Sequence, residues 1–214
     1  VVYAAGGGTV YVPAGNFSFT INPSKISTMD NCPMGVEIRG GVNIIGAGMN
    51  QTWLIVSGDV SDSYVTANMF SCRGDQTPQK PIEISGISFK GYIDYSAPAG
   101  WSSPGQIEYH SYRGISIAGV EDFRVHDCYF EDFHGAGICA GNTRSAVSGK
   151  CVLRGVIDHC VFDNPYREIS GTTWGYGVQV SGEYDTGEPN IDNILGKYGN
   201  LSVFIEDCRF SRCR

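Results

Sequence analysis

The chain lacks several patterns that would place it in large classes of proteins. No run of about 18 apolar residues occurs, so no helical membrane span is predicted. Long charged helical patterns are missing, and charged residues make up only 17% of the chain. No Cys-x-x-Cys or Cys/His metal spacing occurs, so a zinc site is not predicted. The net charge of −7 argues against nucleic acid and anionic membranes as partners.

Glycine and aromatic residues are abundant instead. The 214 residues include 29 Gly, 12 Tyr and 10 Phe. This composition is typical of many short strands joined by turns, and the length is ample for one sizeable core.

One strand pattern recurs at residues 122–130, 155–162 and 203–210, with a looser copy at 84–89. Each copy is interpreted as two short strands bent around a single residue. The residues at the bend are Gly86, Asp127, His159 and Asp207. These residue types enter the left-handed backbone region at low cost. Copies spaced by a few tens of residues predict a coil that stacks on itself.

A second strand recurs in phase with the first, which predicts about five coils with loops of unequal length. Its copies lie at residues 36–40, 70–74, 115–119, 138–141 and 178–182. Inward residues of successive coils should stack into ladders. One ladder is predicted to contain Ile87, Cys128, Cys160 and Cys208, and another Phe89, Phe130, Phe162 and Phe210.

The N-terminal segments resemble a known family. Residues 6–15 read Gly-Gly-Gly-Thr-Val-Tyr-Val-Pro-Ala-Gly, and residues 41–48 read Gly-Val-Asn-Ile-Ile-Gly-Ala-Gly, with Thr52 shortly after. They resemble the N-terminal coils of right-handed parallel β-helix proteins of the pectin-lyase-like superfamily. That superfamily includes pectate lyases, polygalacturonases and phage tailspikes. One fold hosts several chemistries and non-enzymes, so the resemblance indicates the fold more than an activity.

Together, the repeats and the resemblance predict an all-β solenoid, a right-handed parallel β-helix, as a single domain over residues 1–214. Residues 1–34 are expected to form an N-terminal cap region and 35–214 the stacked coils. Residues 1–5 are expected to end a helix whose start is missing. The sequence stops in mid-coil after Phe210. Because stacked repeats need capped ends, a fragment is expected, or a further chain or missing coils that continue the stack.

The cysteines divide by position. Cys128, Cys160 and Cys208 are predicted to be small buried hydrophobes with inert thiols, although a disulfide between neighbouring coils is an alternative. Cys72 should replace an inward aliphatic residue. Cys139 and Cys151 are the candidate pair for a disulfide.

The resemblance implies that polysaccharide lies in a groove over the outer face of the second repeated strand. Arg39 and Arg73 fall one coil apart in one column, where they could hold the carboxylate of an acidic sugar. The alternative is that both are solvated arginines. Loops at 91–113 and 163–176 are rich in aromatic residues that suit sugar rings, or that pack the loops onto the sheet. The predicted sugar contacts are Trp101, Tyr109, His110, Tyr112, Tyr166, Trp174 and Tyr176.

No catalytic set can be identified. The candidates are Glu37, His134, Arg167 and Glu168. Glu37 is the only carboxylate on the five outward strand faces, whereas a polygalacturonase mechanism needs an acid and a base. The segment around His134 resembles the Gly-His-Gly stretch of polygalacturonases, but Phe133 replaces the first glycine.

Two further groups of polar residues have a simpler interpretation. The acidic residues at 183–192 keep calcium as an alternative, but they lack a calcium pattern, so a solvated loop and no cofactor are predicted. The column His126, Asp158 and Glu206, with Arg124, could perform acid–base chemistry. It projects from the wrong face for the groove, so surface packing is favoured.

The predicted function is recognition of an extracellular, acidic polysaccharide by a protein that is secreted or lies on a cell or virion surface. The chain would be part of a carbohydrate-active enzyme, a lyase or a glycoside hydrolase. The alternative is a non-catalytic, tailspike-like adhesin or a structural surface or filament protein.

Overall fold

The computed structural model describes twelve stretches of the chain, and they form β-strands and turns. The described residues are 6–26, 32–57, 66–73, 80–92, 111–118, 120, 122–133, 135–141, 153–164, 167–169, 172–180 and 201–213. Within these stretches no helix is long and apolar enough to cross a membrane.

Three parallel sheets are built from the described strands. Sheet A contains β1 (Gly8–Val12), β4 (Val42–Gly46), β7 (Ile82–Ser85), β10 (Asp122–His126), β13 (Leu153–Asp158) and β18 (Leu201–Glu206). Sheet B contains β2 (Gly15–Phe19), β5 (Thr52–Val56), β8 (Ser88–Lys90), β11 (Tyr129–Glu131), β14 (Val161–Asp163) and β19 (Arg209–Ser211). Sheet C contains β3 (Met34–Arg39), β6 (Thr66–Arg73), β9 (Ser111–Ala118), β12 (Ala136–Ala140) and β17 (Tyr176–Val180). A separate antiparallel hairpin joins β15 (Arg167–Ile169) to β16 (Thr172–Trp174).

Each coil takes one strand from sheet A, then one from sheet B, then one from sheet C. The first coil is β1, β2 and β3, and each strand pairs with its counterpart one coil further on. Five coils are complete among the described strands, and β18 with β19 belong to a sixth. The right-handed parallel β-helix predicted from the sequence is confirmed. β1 and β2, which lie in the predicted cap region, already belong to the sheets, and the predicted helix end at residues 1–5 lies outside the described residues.

The bend between sheets A and B depends on residues with positive φ. Asp127, His159 and Asp207 have φ of 52°, 52° and 49°, and Gly86 has φ of 67°. These are the four residues that the repeat predicts at the bend. A left-handed residue turns the chain sharply enough for one coil to pass from sheet A to sheet B.

The phenylalanine ladder fills the interior beneath sheet B. Phe89, Phe130, Phe162 and Phe210 stack with ring centroids 5.0 Å apart and nearly parallel planes. A glycine of sheet C faces this ladder: a Cβ added at Gly137 would lie 2.8 Å from the Phe162 ring. Glycine is therefore required there, because the ring occupies the space of a side chain.

The thiol ladder is also confirmed. Cys128 and Cys160 are buried and Cys208 is partly buried, and all three are free thiols, so the alternative disulfide is not formed. Hydrogen bonding with Cys128 raises the pKa of Cys160, and hydrogen bonding with Cys160 raises the pKa of Cys208. A raised pKa suppresses the reactive thiolate, as expected of inert core residues.

The other cysteines give a mixed result. Cys72 is buried, as predicted, and burial raises the pKa of its thiol to about 12. The predicted Cys139–Cys151 pair stays a prediction, because Cys151 lies outside the described residues.

Candidate functional site

The outer face of sheet C is the face on which the sequence predicts a ligand. In-register pairing places Glu37 beside Ser71, Ser71 beside Ser116, and Ser116 beside Cys139. These residues alternate with the inward residues of the same strands. Ser71, Ser116 and Cys139 are buried. The middle of this face is therefore a column of small side chains, and Glu37 stands at one end of it.

An ionic cluster of Glu37, Arg39 and Arg73 lies at that end. Arg39 pairs with Arg73 across β3 and β6. Arg39 Nη2 lies 3.3 Å from Glu37 Oε2, and Arg73 Nη1 lies 3.4 Å from Glu37 Oε1. The three side chains are 22–32% exposed, so solvent reaches the cluster. The in-register arginines that the sequence predicts are thus present, and one carboxylate of the chain lies between them.

The described members of this cluster are two guanidiniums and one carboxylate, on a chain whose net charge is −7. A guanidinium presents its N–H donors in a planar fork that fits a carboxylate. The site can therefore bind carboxylates, and it already demonstrates this with Glu37. Arg39 and Arg73 were predicted together; the contact of both with Glu37 was not, because strand alternation gives the face of a residue but not its rotamer.

One predicted sugar contact is corrected by the structure. The sequence predicts Tyr112 in a surface loop, but Tyr112 lies in β9 and is fully buried. Its ring packs edge-on against Tyr92, with ring centroids 6.4 Å apart. Tyr112 therefore belongs to the core and cannot reach a ligand on the surface.

Of the other predicted sugar contacts and catalytic residues, some lie in described strands and some lie outside the described residues. Tyr176 is partly exposed at the start of β17. Arg167 and Trp174 are directly opposite each other in the β15–β16 hairpin, where Glu168 pairs with Thr173. The hairpin lies in the chain between β14 of sheet B and β17 of sheet C. Five further candidates lie outside the described residues and stay predictions: Trp101, Tyr109, His110, His134 and Tyr166.

The outer face of sheet A carries a second ionic cluster, with shorter contacts. Arg124 donates two hydrogen bonds to Asp158, of 3.0 Å from Nε and 2.7 Å from Nη2. His159 Nδ1 lies 3.0 Å from the same carboxylate. The Asp158 side chain is only 6% exposed. The hydrogen bonds from Arg124 lower the pKa of Asp158 to about 2, and the hydrogen bond with Asp158 raises the pKa of His159.

His126 extends this cluster to the preceding coil. Its Nε2 lies 2.9 Å from Glu83 Oε1 and its Nδ1 lies 2.7 Å from Asp127 Oδ2. The predicted column of His126, Asp158 and Glu206 is in register. The sequence did not indicate Glu83 or Asp127 as partners. The outward position of Glu83, one coil before Arg124, is the signal that could have found it.

Sheet B carries a third set of outward contacts that the sequence did not indicate. Trp53 and Tyr129 pack edge-on with ring centroids 5.7 Å apart. Lys90 lies 2.5 Å from Glu131, and the Tyr129 hydroxyl donates to the other Glu131 oxygen at 3.1 Å. Burial is the main reason that the pKa of Tyr129 rises to about 12. The Trp53–Tyr129 contact reaches from the second coil to the fourth, and the Lys90–Glu131 contact joins the third coil to the fourth. These contacts suggest packing rather than chemistry.

No metal centre is formed by the residues that the structure describes, since no three His, Cys, Asp or Glu side chains among them converge. The acidic loop at 183–192, which keeps calcium as an alternative, lies outside those residues.

Comparisons with known proteins identify one group of relatives. No family model matches the chain. Mannuronan C5-epimerase AlgE3 of Azotobacter vinelandii is 37% identical over 109 residues, which are 49% of this chain and 5% of that protein. Mannuronan C5-epimerase AlgE4 of the same organism is 40% identical over 75 residues, which are 35% of this chain and 12% of that protein. The matches therefore span only a small part of the relatives' length.

A solved structure has also been matched. The A-module of the A. vinelandii mannuronan C5-epimerase AlgE4 covers 98% of this chain and 63% of its own, with a TM-score of 0.29 and 15% identity. The fold itself is established by the three parallel sheets. The relatives are epimerases, a reaction class that the sequence alone did not indicate.

Proposed function

We propose that this β-helix binds and modifies an anionic polysaccharide built from uronic acids, outside the cell or at a surface. The observation that carries the proposal is the similarity to mannuronan C5-epimerases, at 37% and 40% identity over the matched segments. The Arg39–Arg73 pair on sheet C supports it, because two guanidiniums side by side suit the carboxylate of a uronate.

The chemistry favours removal of the proton at C5 of a uronate. This proton is next to the carboxylate, so an arginine bound there would stabilise the negative charge that develops when the proton leaves. Returning the proton on the other face gives epimerisation, and loss of the 4-O-substituent gives a lyase reaction. Hydrolysis would need two carboxyl groups across the groove, and Glu37 is the one carboxylate on the described outer face of sheet C. We therefore place epimerase and lyase ahead of hydrolase.

The residues proposed to act fall into two sets. Arg39 and Arg73 would hold the sugar carboxylate. Contacts with the sugar rings are proposed for Trp101, Tyr109, His110, Tyr166, Trp174 and Tyr176, and proton transfer for a group among His134, Arg167 and Glu168. No cofactor is required by this assignment, and calcium stays an alternative at 183–192.

Incubation with mannuronan in D₂O tests the proposal. Deuterium at C5 of the recovered polymer is expected for epimerisation, and ultraviolet absorbance of an unsaturated product for the lyase reaction. A gain of reducing ends without either signal would support a hydrolase instead. The double variant R39A/R73A should lose about tenfold or more in affinity, because each guanidinium contributes charge-assisted hydrogen bonds. Unchanged affinity would contradict the role of sheet C.

A non-catalytic binding module is the second candidate. It is favoured by the small side chains of Ser71, Ser116 and Cys139 on the described part of the face, and by the involvement of Glu37 in ion pairs. Retained affinity for mannuronan, with no deuterium incorporation, no unsaturated product and no new reducing ends, would establish it.

A further inference from the structure

Glu37 occupies a position that a ligand carboxylate would also take. Its two oxygens face two different guanidiniums, Oε2 that of Arg39 and Oε1 that of Arg73. It reaches them because residues two apart on a strand share a face, and because Arg73 is paired with Arg39 one coil away. The chain thus supplies its own carboxylate to the site proposed for a sugar carboxylate.

The contacts of Glu37 are long for ion pairs. They measure 3.3 and 3.4 Å, whereas charge-assisted hydrogen bonds are usually about 2.7–2.9 Å. In the same molecule, Arg124 and Asp158 approach to 2.7 Å, and Asp158 is almost fully buried. Glu37 is 23% exposed. An exposed, long ion pair contributes little to stability and can be exchanged for another anion.

We propose that Glu37 is an internal competitor that a substrate carboxylate displaces from Arg39 and Arg73, and that it thereby limits the affinity of the site for carboxylates. The inference rests on the proposed function. A small carboxylate anion would compete with Glu37 one to one, at the disadvantage of binding from solution. A polyuronate brings many carboxylates on one chain, so its effective concentration at the site is high. Glu37 would therefore lower the affinity for every carboxylate by the same factor, and a polyuronate would still bind at concentrations at which a single anion does not.

The variant E37Q distinguishes a Glu37 that competes with the ligand from a Glu37 that only holds Arg39 and Arg73 in place for it. Gln keeps the shape of Glu but removes the charge that competes. We expect E37Q to bind mannuronan oligosaccharides about fivefold more tightly than the wild type, in line with the loss of one partly exposed ion pair. We also expect the affinity for the single sugar glucuronate to rise by a similar factor, because Glu37 competes with every carboxylate alike. Isothermal titration calorimetry at physiological salt measures both affinities, and thermal unfolding confirms that the variant is folded.

A matched control removes the same charge elsewhere. Glu206 is exposed on the outer face of sheet A. Because interactions between exposed charges are screened beyond about 8 Å at physiological salt, E206Q should leave the affinity within about 1.5-fold of the wild type. An equal gain in E37Q and E206Q would show a general charge effect and would overturn the inference.

The outcomes also distinguish the inference from the proposed function. In one outcome, R39A/R73A loses binding but E37Q binds no more tightly than the wild type. Glu37 is then not a competitor, and the proposed carboxylate site on sheet C still stands. If R39A/R73A binds like the wild type, the proposed role of sheet C fails, and the inference fails with it.

As a measurement on the unmodified protein, the side-chain carboxyl ¹³C resonance of Glu37 should shift when mannuronan oligosaccharide saturates the protein. No shift at saturation would overturn the displacement.

Discussion

The outer faces of sheets A and C use charge in opposite ways. On sheet A, Arg124 binds Asp158 through two short hydrogen bonds, and His126 lies between two carboxylates. On sheet C, Arg39 and Arg73 share one carboxylate through longer contacts. Charges that are paired within the chain hold neighbouring coils together. Ion pairs that are long and partly exposed, like those of Glu37, contribute little to stability and are more easily exchanged for a ligand.

A change in the interior, which both faces share, gives the largest expected effect. F130A should lower the free energy of unfolding by about 3–5 kcal/mol, because it removes a fully buried ring from the ladder and leaves a cavity. Urea unfolding measures the loss. The control F204A removes a ring that is 58% exposed and should cost less than about 1 kcal/mol. Equal losses would show that the ladder does not hold the coils together.

On sheet A, D158N should cost about 2 kcal/mol at neutral pH and leave polysaccharide affinity unchanged. The pKa of Asp158 is lowered to about 2, so its contribution is complete above the ordinary pKa of an aspartate and disappears as pH falls from about 4 to 2. The wild type should therefore lose stability over that range, and D158N should lose less. If the wild type and D158N lost the same stability as pH falls from about 4 to 2, the ion pair of Asp158 would not stabilise this face.

On sheet C, R39A and R73A should show the reverse behaviour. Loss of the partly exposed ion pair with Glu37 should account for less than about 1 kcal/mol of the change in the free energy of unfolding of each variant. Each should weaken binding of mannuronan oligosaccharides. Chemical denaturation and calorimetry on the same samples separate the two effects. A large loss of stability without a loss of affinity would show that the ion pairs of sheet C stabilise the fold, as those of sheet A do, and do not bind the polysaccharide.

The smallest effect is expected from His159, which is exposed at a bend. Its pKa is raised by the hydrogen bond with Asp158. The protonated form therefore stabilises the fold below the ordinary histidine pKa of about 6.5, and the contribution disappears as pH rises through the folded value. H159N, which tolerates the positive φ, should flatten this part of the stability profile. An unchanged slope between about pH 6 and 8 would exclude the contribution.

Much of the architecture could be predicted from repeated positions. Cys128, Cys160 and Phe130 recur at matching places in their coils, and residues such as Asp127 mark the bends, so the ladders follow from spacing alone. The side-chain contacts could not be predicted in the same way. His126 with Glu83, or Glu37 with Arg73, depends on rotamers and on which coils become neighbours. Tyr112 was misplaced because the strand that contains it begins earlier than its apolar alternation indicates.

The in-register stacking of coils has a practical consequence for redesign. Because strands of successive coils lie about 4.8 Å apart and each coil contacts mainly its neighbours, a whole coil can be treated as a cassette. Duplicating the coil formed by β10, β11 and β12 would lengthen the outer face of sheet C by one such step while repeating the same core residues. The length of the face proposed to bind polysaccharide would thus become adjustable in discrete increments.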